Sequence, residues 1–218
     1  MNAVTTAPGT ASRALAVFVS LSLLSLSAST PSPSPSPSAA EDPRWLARAV
    51  VAAADNRAAP FAVVDKKNAR VFVFDAAGRL QGWSPVLLGL ARGDDSVPGI
   101  GEREMSRIRP DERTTPAGRF KTEPGRNTQG EDIVWIDYDA AVSMHRVRTT
   151  DKSERRLQRL ASPSVADNRI SYGCINVPAA FYDAYIKPAL GSRRGVVYVL
   201  PETVAPHQRF EFLGPSVL

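Results

Sequence analysis

The chain has 218 residues, of which 43% are hydrophobic and 22% are charged, and its formal net charge is +5. These values are typical of a globular protein that can bury a hydrophobic core. They exclude a disordered chain, and the presence of one cysteine excludes a small scaffold held together by disulfides.

The first 40 residues are predicted to lie outside the folded domain. Residues 1–30 combine one internal base, Arg13, with an apolar run over 14–26 and small residues after it, which is typical of a secretory signal peptide. The apolar run is short for a spanning helix, which needs about 20 residues, but an uncleaved membrane anchor is the alternative. Residues 31–40 follow as a Pro/Ser linker that favours extended polyproline II.

Export would place the protein in the periplasm or cell envelope, with transient membrane contact through the signal peptide only. Anionic envelope polymers or peptide carboxylates are then the expected partners of the positive charge, nucleic acid is not, and solubility alone is the alternative explanation. An oxidising compartment also makes the single cysteine, Cys174, informative. Such a thiol is either buried and inert, a dimer link, or retained for its reactivity.

Hydrophobic periodicity predicts an N-terminal helix within residues 41–58, with a helical pattern over 43–56, followed by a β-rich domain. A meander opens this domain, and Pro85 indicates an edge or a bulge in its third strand. A loop is expected over 91–113, a short helix over 178–190 and a C-terminal tail over 205–218. The predicted strands are 61–65, 70–75, 80–89, 133–138, 141–145 and 195–200, and 114–120 is predicted to be a turn that leads into a strand.

Residues 148–168 interrupt the β pattern with a charged segment, of which 152–160 is compatible with a helix. A solvated helix face is one interpretation of this insert. The other is a lid whose guanidinium groups, together with that of Arg169 nearby, bind substrate carboxylates, since arginine suits bidentate carboxylate binding.

The residues around Cys174 predict a nucleophile on a tight turn. Gly173 gives the backbone the freedom that such a turn needs, and the turn can aim both the sulfur and neighbouring N–H groups at one carbonyl. A thiol nucleophile needs a base to hold it as thiolate near neutral pH. Of the two histidines, His145 at the end of a predicted strand is favoured over His207 in the tail.

The stretch Ser171-Tyr172-Gly173-Cys174-Ile175-Asn176 resembles the active-site signature of the L,D-transpeptidases, which have a YkuD-type catalytic domain. The similarity extends in order over 61–200, through an opening hairpin at 63–73 and a Thr-Pro-x-Gly-x-Phe turn at 115–120. It implies a mainly β fold, a YkuD-like β-sandwich with short helices after the N-terminal helix, and assigns 59–204 to the catalytic domain. Acyl transfer through cysteine needs no metal or other cofactor, and none is expected.

The resemblance makes Cys174 the nucleophile and His145 the general base. The N–H groups of Tyr172, Gly173 and Cys174 would form the oxyanion hole, and Ser171 would support the turn. The expected substrate-binding residues are Asn176, Arg146 and Arg169. The group expected to orient the imidazole is the main-chain carbonyl of Arg146, or a carboxylate such as Asp137 or Asp167.

Two residues depart from the family signature. Tyr172 stands where the family has a histidine, and a phenol is a poor base at neutral pH. We interpret it as a substrate contact or hydrogen-bond donor. Asn176 stands where many members have arginine, although others have asparagine. The insert also lengthens the spacing between His145 and Cys174.

The activity that this resemblance implies is cross-linking of peptidoglycan stem peptides, with an acyl-enzyme at Cys174, release of D-alanine and a 3→3 cross-link. Carbapenems would be expected inhibitors. Water as acceptor would make the protein an L,D-carboxypeptidase, and a lipoprotein lysine would make it an anchoring enzyme. Tyr172 and the insert motivate a further alternative, a wall-binding module without catalytic activity. A papain-like protease is disfavoured because the histidine precedes the cysteine.

Overall fold

The computed structural model describes residues 43–214, so the predicted signal peptide and linker lie outside the described residues. Its larger sheet has five strands in the order β3-β2-β1-β11-β5. The first three form the predicted antiparallel meander, and β11 returns parallel to β1. Pro85 ends the edge strand β3, as predicted. The strands are β1 Phe61–Asp65, β2 Arg70–Phe74, β3 Leu80–Pro85, β5 Gly118–Lys121 and β11 Val196–Leu200.

A second sheet has four strands in the order β10-β8-β7-β6, and a two-stranded ladder joins β4 to β9. The single strand predicted over 80–89 is wrong, because the chain breaks after Pro85 and its second part pairs with β9 instead. Strands β6, β9 and β10 escaped prediction because they are too short to show a period of two. The strands are β4 Leu88–Gly89, β6 Glu123–Arg126, β7 Asp132–Asp137, β8 Val142–Arg146, β9 Arg169–Ser171 and β10 Ile175–Val177.

Both faces of the larger sheet are covered. Successive residues of a strand point to opposite faces, so Ala62 and Val64 face the core against the second sheet, while Phe61 and Val63 face the other side. Because neither face meets water, β1 is buried along its whole length and lacks polar alternation. The mainly β fold with short helices, predicted from the sequence, is confirmed.

The N-terminal helix α1 spans Arg44–Ala52 and is shorter than the predicted 43–56. Pro43 occupies the N-cap position, and the chain beyond the helix turns through residues with positive φ, including Ala54 and Arg57. Leu46 of the helix packs on the outer face of the larger sheet. The predicted tail also contributes to this outer cluster, since Phe210 is buried there.

Short helices fill the connections between strands. The predicted loop over 91–113 contains three single-turn 3₁₀ helices, Ile100–Glu102, Met105–Arg107 and Pro110–Glu112. In the insert, the 3₁₀ helix Lys152–Glu154 leads into α2, Arg156–Ala161. The helix predicted over 178–190 is α3, Ala179–Phe181, which continues as a π-helix, Tyr182–Gly191. Between residues 43 and 214, every helix is too short or too polar to cross a bilayer.

Candidate active site

The second sheet brings Cys174 and His145 together. Strands β8 and β10 are parallel neighbours, and Asn176 of β10 pairs with His145 of β8. Cys174 lies immediately before β10, so the excursion through the insert returns the chain to the histidine. Cys174 is a partly buried free thiol. Its side chain and the imidazole line the same cleft, which has a volume of about 440 Å³.

The thiol and the imidazole shift each other's pKa. Burial by itself raises the pKa of Cys174 and lowers the pKa of His145, because it disfavours both charged forms. Their mutual hydrogen bonding and opposite charges outweigh burial, so the pKa of Cys174 lies below its ordinary value and that of His145 above it. The Ser143 hydroxyl, 3.7 Å from the sulfur, favours the thiolate further. The pair therefore favours a thiolate and a protonated imidazole more than either group would alone.

A main-chain carbonyl orients the imidazole. Nδ1 of His145 lies 2.8 Å from the carbonyl oxygen of Arg146, to which the ring N–H donates. The two carboxylates considered from the sequence are engaged elsewhere: Asp137 accepts from the Ala140 N–H, and Asp167 from the Ser162 hydroxyl. A proton fixed on Nδ1 leaves the other ring nitrogen free to exchange a proton with the thiol.

The turn before Cys174 is held from within. The Ser171 hydroxyl donates to the Cys174 carbonyl at 2.7 Å and accepts the Gly173 N–H at 3.1 Å. Gly173 has φ +130°, and a Cβ there would lie 2.9 Å from the Thr114 carbonyl oxygen, so the position requires glycine. The Gly173 N–H is therefore used within the turn, and the oxyanion hole expected from Tyr172, Gly173 and Cys174 stays a prediction.

The insert reaches the cleft and is fixed to the strand after the cysteine. Asn176 donates from Nδ2 to the Cys174 carbonyl at 3.2 Å, and its Oδ1 accepts from the Arg156 guanidinium. The same guanidinium donates to Glu154 at 2.6 Å. Arg148 also lines the cleft. The insert therefore supplies both positive and negative side chains beside the nucleophile.

Tyr172 forms another wall of the cleft and is fixed by the loop over 91–113. The Arg113 guanidinium carbon lies 3.8 Å from the centroid of the tyrosine ring, and the guanidinium donates to the Ile108 carbonyl. Such a cation–π contact holds the ring in one orientation. Tyr172 is therefore a fixed surface against which a ligand can lie.

Two of the predicted substrate-binding residues do not line the cleft. Arg146 pairs with Asp132 at 3.0 Å and with Asp183, and Arg169 is 7% exposed and pairs with Glu202 at 2.7 Å. Both guanidiniums are bound to structural partners. The lining of the cleft therefore does not support the expected substrate contacts through Arg146 and Arg169, which stay predictions.

A second cleft of about 390 Å³ adjoins the first at His145. The two clefts share His145, Met105 and Arg148. The second is more apolar at its base, where Ile133 and Trp135 contribute side chains.

Fold and site together define a β-rich protein with a cysteine–histidine pair suited to acyl transfer. Comparisons with protein-family models and with curated proteins return no match. Solved structures with a similar fold include the helical cell shape determining protein Pgp2 from Campylobacter jejuni, at 13% identity and a TM-score of 0.44. The matched region covers 67% of this chain and 49% of that one, so this chain spans about half of Pgp2.

Several other matched structures are L,D-transpeptidases, the family that the sequence resembles. The catalytic domain from E. faecium L,D-transpeptidase is 20% identical, with 64% of this chain and 95% of that chain covered and a TM-score of 0.34. The L,D-transpeptidase LdtMt1 in complex with imipenem is 17% identical, with 65% and 59% covered and a TM-score of 0.37. Likenesses of this size concern the fold, and the chemistry has to be inferred from the site.

Proposed function

We propose that this chain is an exported L,D-transpeptidase that cross-links peptidoglycan stem peptides in the cell envelope. The observation that carries the proposal is that Cys174, immediately before β10, and His145, on the neighbouring strand β8, line one cleft, where each group stabilises the charged form of the other. A thiolate held by an imidazolium in an accessible cleft is suited to attack a carbonyl.

In the acylation step, the Cys174 sulfur attacks the carbonyl carbon that joins the third residue of a stem peptide to its terminal D-alanine. The C–S bond forms while the carbonyl oxygen takes negative charge, which the N–H groups of Tyr172 and Cys174 would stabilise. The C–N bond then breaks, and His145 gives its proton to the departing amine of D-alanine. The product is a thioester at Cys174.

In the second step, the amine of another stem peptide attacks the thioester carbonyl. Its proton passes to His145, the C–S bond breaks, and the thiolate is restored beside the imidazolium. The second cleft, which also reaches His145, is the candidate binding site for the peptide that carries this amine. The result is a 3→3 cross-link between two peptides.

Arg156 is the side chain best placed to recognise a carboxylate of the substrate. It lines the Cys174 cleft, its side chain is 15% exposed, and Glu154 and Asn176 hold its guanidinium in place. Part of its hydrogen-bonding capacity remains for a ligand, because an arginine has five N–H donors. Carbapenems also carry a carboxylate beside a reactive carbonyl, so imipenem is a suitable probe.

The proposal is tested with the purified protein, a disaccharide tetrapeptide substrate and imipenem, read out by intact mass and product analysis. We expect an imipenem adduct and 3→3 cross-linked dimers with the natural sequence. Cys174→Ser should abolish both, and His145→Ala should slow both. His207→Ala, which changes the other histidine, is the control and should leave both intact.

The products separate the alternatives. Release of D-alanine with a free tripeptide and no dimer would identify an L,D-carboxypeptidase, in which water replaces the amine. Binding to peptidoglycan without product or adduct would favour an inactive wall-binding module. An adduct that survives the Cys174→Ser substitution would refute the assignment of the nucleophile.

A further inference from the structure

On its buried side, the turn that carries Cys174 is hydrogen-bonded to a threonine that is distant in sequence. Thr115, which is 0% exposed, donates from Oγ1 to the carbonyl oxygen of Gly173 at 2.8 Å. The Oγ1 atom of Thr115 also accepts the N–H of Gly89, at 2.8 Å. One hydroxyl therefore satisfies two buried main-chain groups, one on β4 and one immediately before the nucleophile.

Close backbone contacts fix the position of this threonine. A Cβ at Gly89 would lie 2.3 Å from the Arg113 carbonyl oxygen, and a Cβ at Gly173 would lie 2.9 Å from the Thr114 carbonyl oxygen. The segment 113–115 is thus packed between two glycines, with no room for a side chain on either. The distance between the threonine hydroxyl and the turn cannot relax without moving main chain.

A buried ammonium holds the threonine's own backbone. Lys66, whose side chain is 0% exposed, donates from Nζ to the Thr115 carbonyl at 3.0 Å and to Asp94 at 2.8 Å. Asp94 in turn accepts the N–H groups of 202–204. The backbone of Thr115 is therefore connected through Lys66 and Asp94 to residues 202–204, which fixes the hydroxyl that contacts the turn.

We propose that Thr115 is a positioning residue for the oxyanion hole, an inference that rests on the proposed acyl transfer. In a trans peptide, the C=O of Gly173 and the N–H of Cys174 point in opposite directions. Because the C=O is held inward by Thr115, the N–H of Cys174 is held outward, on the side where the sulfur meets the cleft. Thr115 acts through this peptide plane and touches no reacting atom.

This role predicts that a Thr115 substitution affects one of two reactions of the Cys174 thiol and leaves the other unchanged. Alkylation by iodoacetamide depends on the thiolate and needs no oxyanion hole. Acylation by imipenem develops charge on a carbonyl oxygen and does need one. If Thr115 is a positioning residue, its substitution should lower the rate of acylation alone. If Thr115 only supports the fold, its substitution should lower the rates of both acylation and alkylation.

The test compares Thr115→Val, which nearly preserves shape and removes the hydroxyl, with Thr115→Ser, which keeps the hydroxyl. Acylation by imipenem should fall about 100-fold in Thr115→Val, the usual effect of losing one oxyanion donor. The alkylation rate and its pH profile should stay within about threefold of the natural protein, because the His145 pair is untouched. Thr115→Ser should restore most of the acylation rate.

The outcomes separate this inference from the proposed function. If the natural protein alkylates but is not acylated, the proposed function fails and the inference fails with it. If the natural protein is acylated and Thr115→Val is acylated at the same rate, the inference alone is overturned. Thr115→Ala covers the case in which the valine variant folds poorly. Equal losses of alkylation and acylation in both variants would show that Thr115 merely supports the fold, and would also overturn the inference.

Discussion

The catalytic turn lies between two networks of charged side chains that use the same chemistry and differ in burial. The inner network consists of Lys66, Asp94, Arg169 and Glu202, whose side chains are at most 6% exposed. The outer network consists of the ion pair between Glu154 and Arg156, whose side chains are 30% and 15% exposed. The guanidinium also donates to the Asn176 amide oxygen, and all three residues line the cleft beside Cys174. The first network lies behind the turn and the second faces the ligand side.

Because the two networks differ in burial, one stabilises the fold and the other can contact a ligand. Charges removed from water need partners within the protein, and each member of the inner network both pairs with another member and hydrogen-bonds main chain. This network is therefore committed to the fold. Charges at the cleft keep contact with solvent and can exchange partners at a modest free-energy cost. Arg169 is therefore a structural residue, whereas Arg156 is a candidate ligand-binding residue.

The largest expected effect comes from breaking the inner network at Lys66. Lys66→Met leaves Asp94 and Glu202 buried without their ammonium partner, so the free energy of unfolding should fall by about 3–5 kcal/mol. Urea unfolding followed by circular dichroism measures the loss. Lys67→Met, at the exposed neighbouring position, is the control and should change stability by less than about 0.5 kcal/mol. Equal losses in both variants would contradict the contrast.

The second effect is the acid sensitivity of the inner network. Burial alone raises the pKa of Asp94, but the Lys66 ammonium, the Thr203 hydroxyl and main-chain donors outweigh it, so the pKa of this carboxyl lies well below its usual range. A lowered carboxyl pKa gives stability above the unfolded value, about 3.9, and that stability is lost as pH falls towards the folded value. Unfolding free energies measured between pH 7 and pH 2 should show a loss on the order of 2 kcal/mol from this group.

Asp94→Asn should flatten this acid limb, because the amide does not titrate over the range. Asp111→Asn serves as the control, since the Asp111 side chain is 71% exposed and its pairing with Arg109 contributes little to stability. An acid limb that is the same in Asp94→Asn as in the natural protein would mean that other carboxylates account for it.

The third effect tests the catalytic pair that the two networks enclose. Removing His145 leaves burial to raise the pKa of Cys174 without the compensating imidazolium. In His145→Ala, the midpoint of the pH–alkylation profile should move up to about 8.5 or higher, and the rate at pH 7 should fall on the order of 10–100-fold. His207→Ala should leave the profile unchanged. A midpoint that is equal in all three proteins would refute the thiolate–imidazolium pair.

The smallest expected effect comes from the outer network, and it should appear in substrate binding and not in folding. Arg156→Met should raise KM for a carboxylate-bearing substrate by about tenfold, because one charge-assisted hydrogen-bonding group is lost. Its unfolding free energy should change by less than about 1 kcal/mol, since the guanidinium is only partly buried. Arg155→Met, at an exposed position of the same insert, is the control. A large loss of stability in Arg156→Met would place this residue with the inner network.

Local pattern predicted much of the fold. Strands β1, β2, β7 and β11 are rich in β-branched and aromatic residues over five or six positions, and the sequence shows their ends to within one residue. Strands β9 and β10 have three residues each and are held by neighbours distant in sequence. Nothing in a three-residue stretch distinguishes such a strand from a loop.

The sequence by itself determined the residue types at the proposed site: one thiol, a glycine before it, and one histidine at the end of a strand. The tertiary structure decided which charges are buried, and therefore which serve the fold and which remain for a ligand. It placed Lys66, which reads locally as a turn residue, in the core, and it connected Thr115 to the catalytic turn. Burial and long-range hydrogen bonds depend on which strands become neighbours, and residue type alone does not specify them.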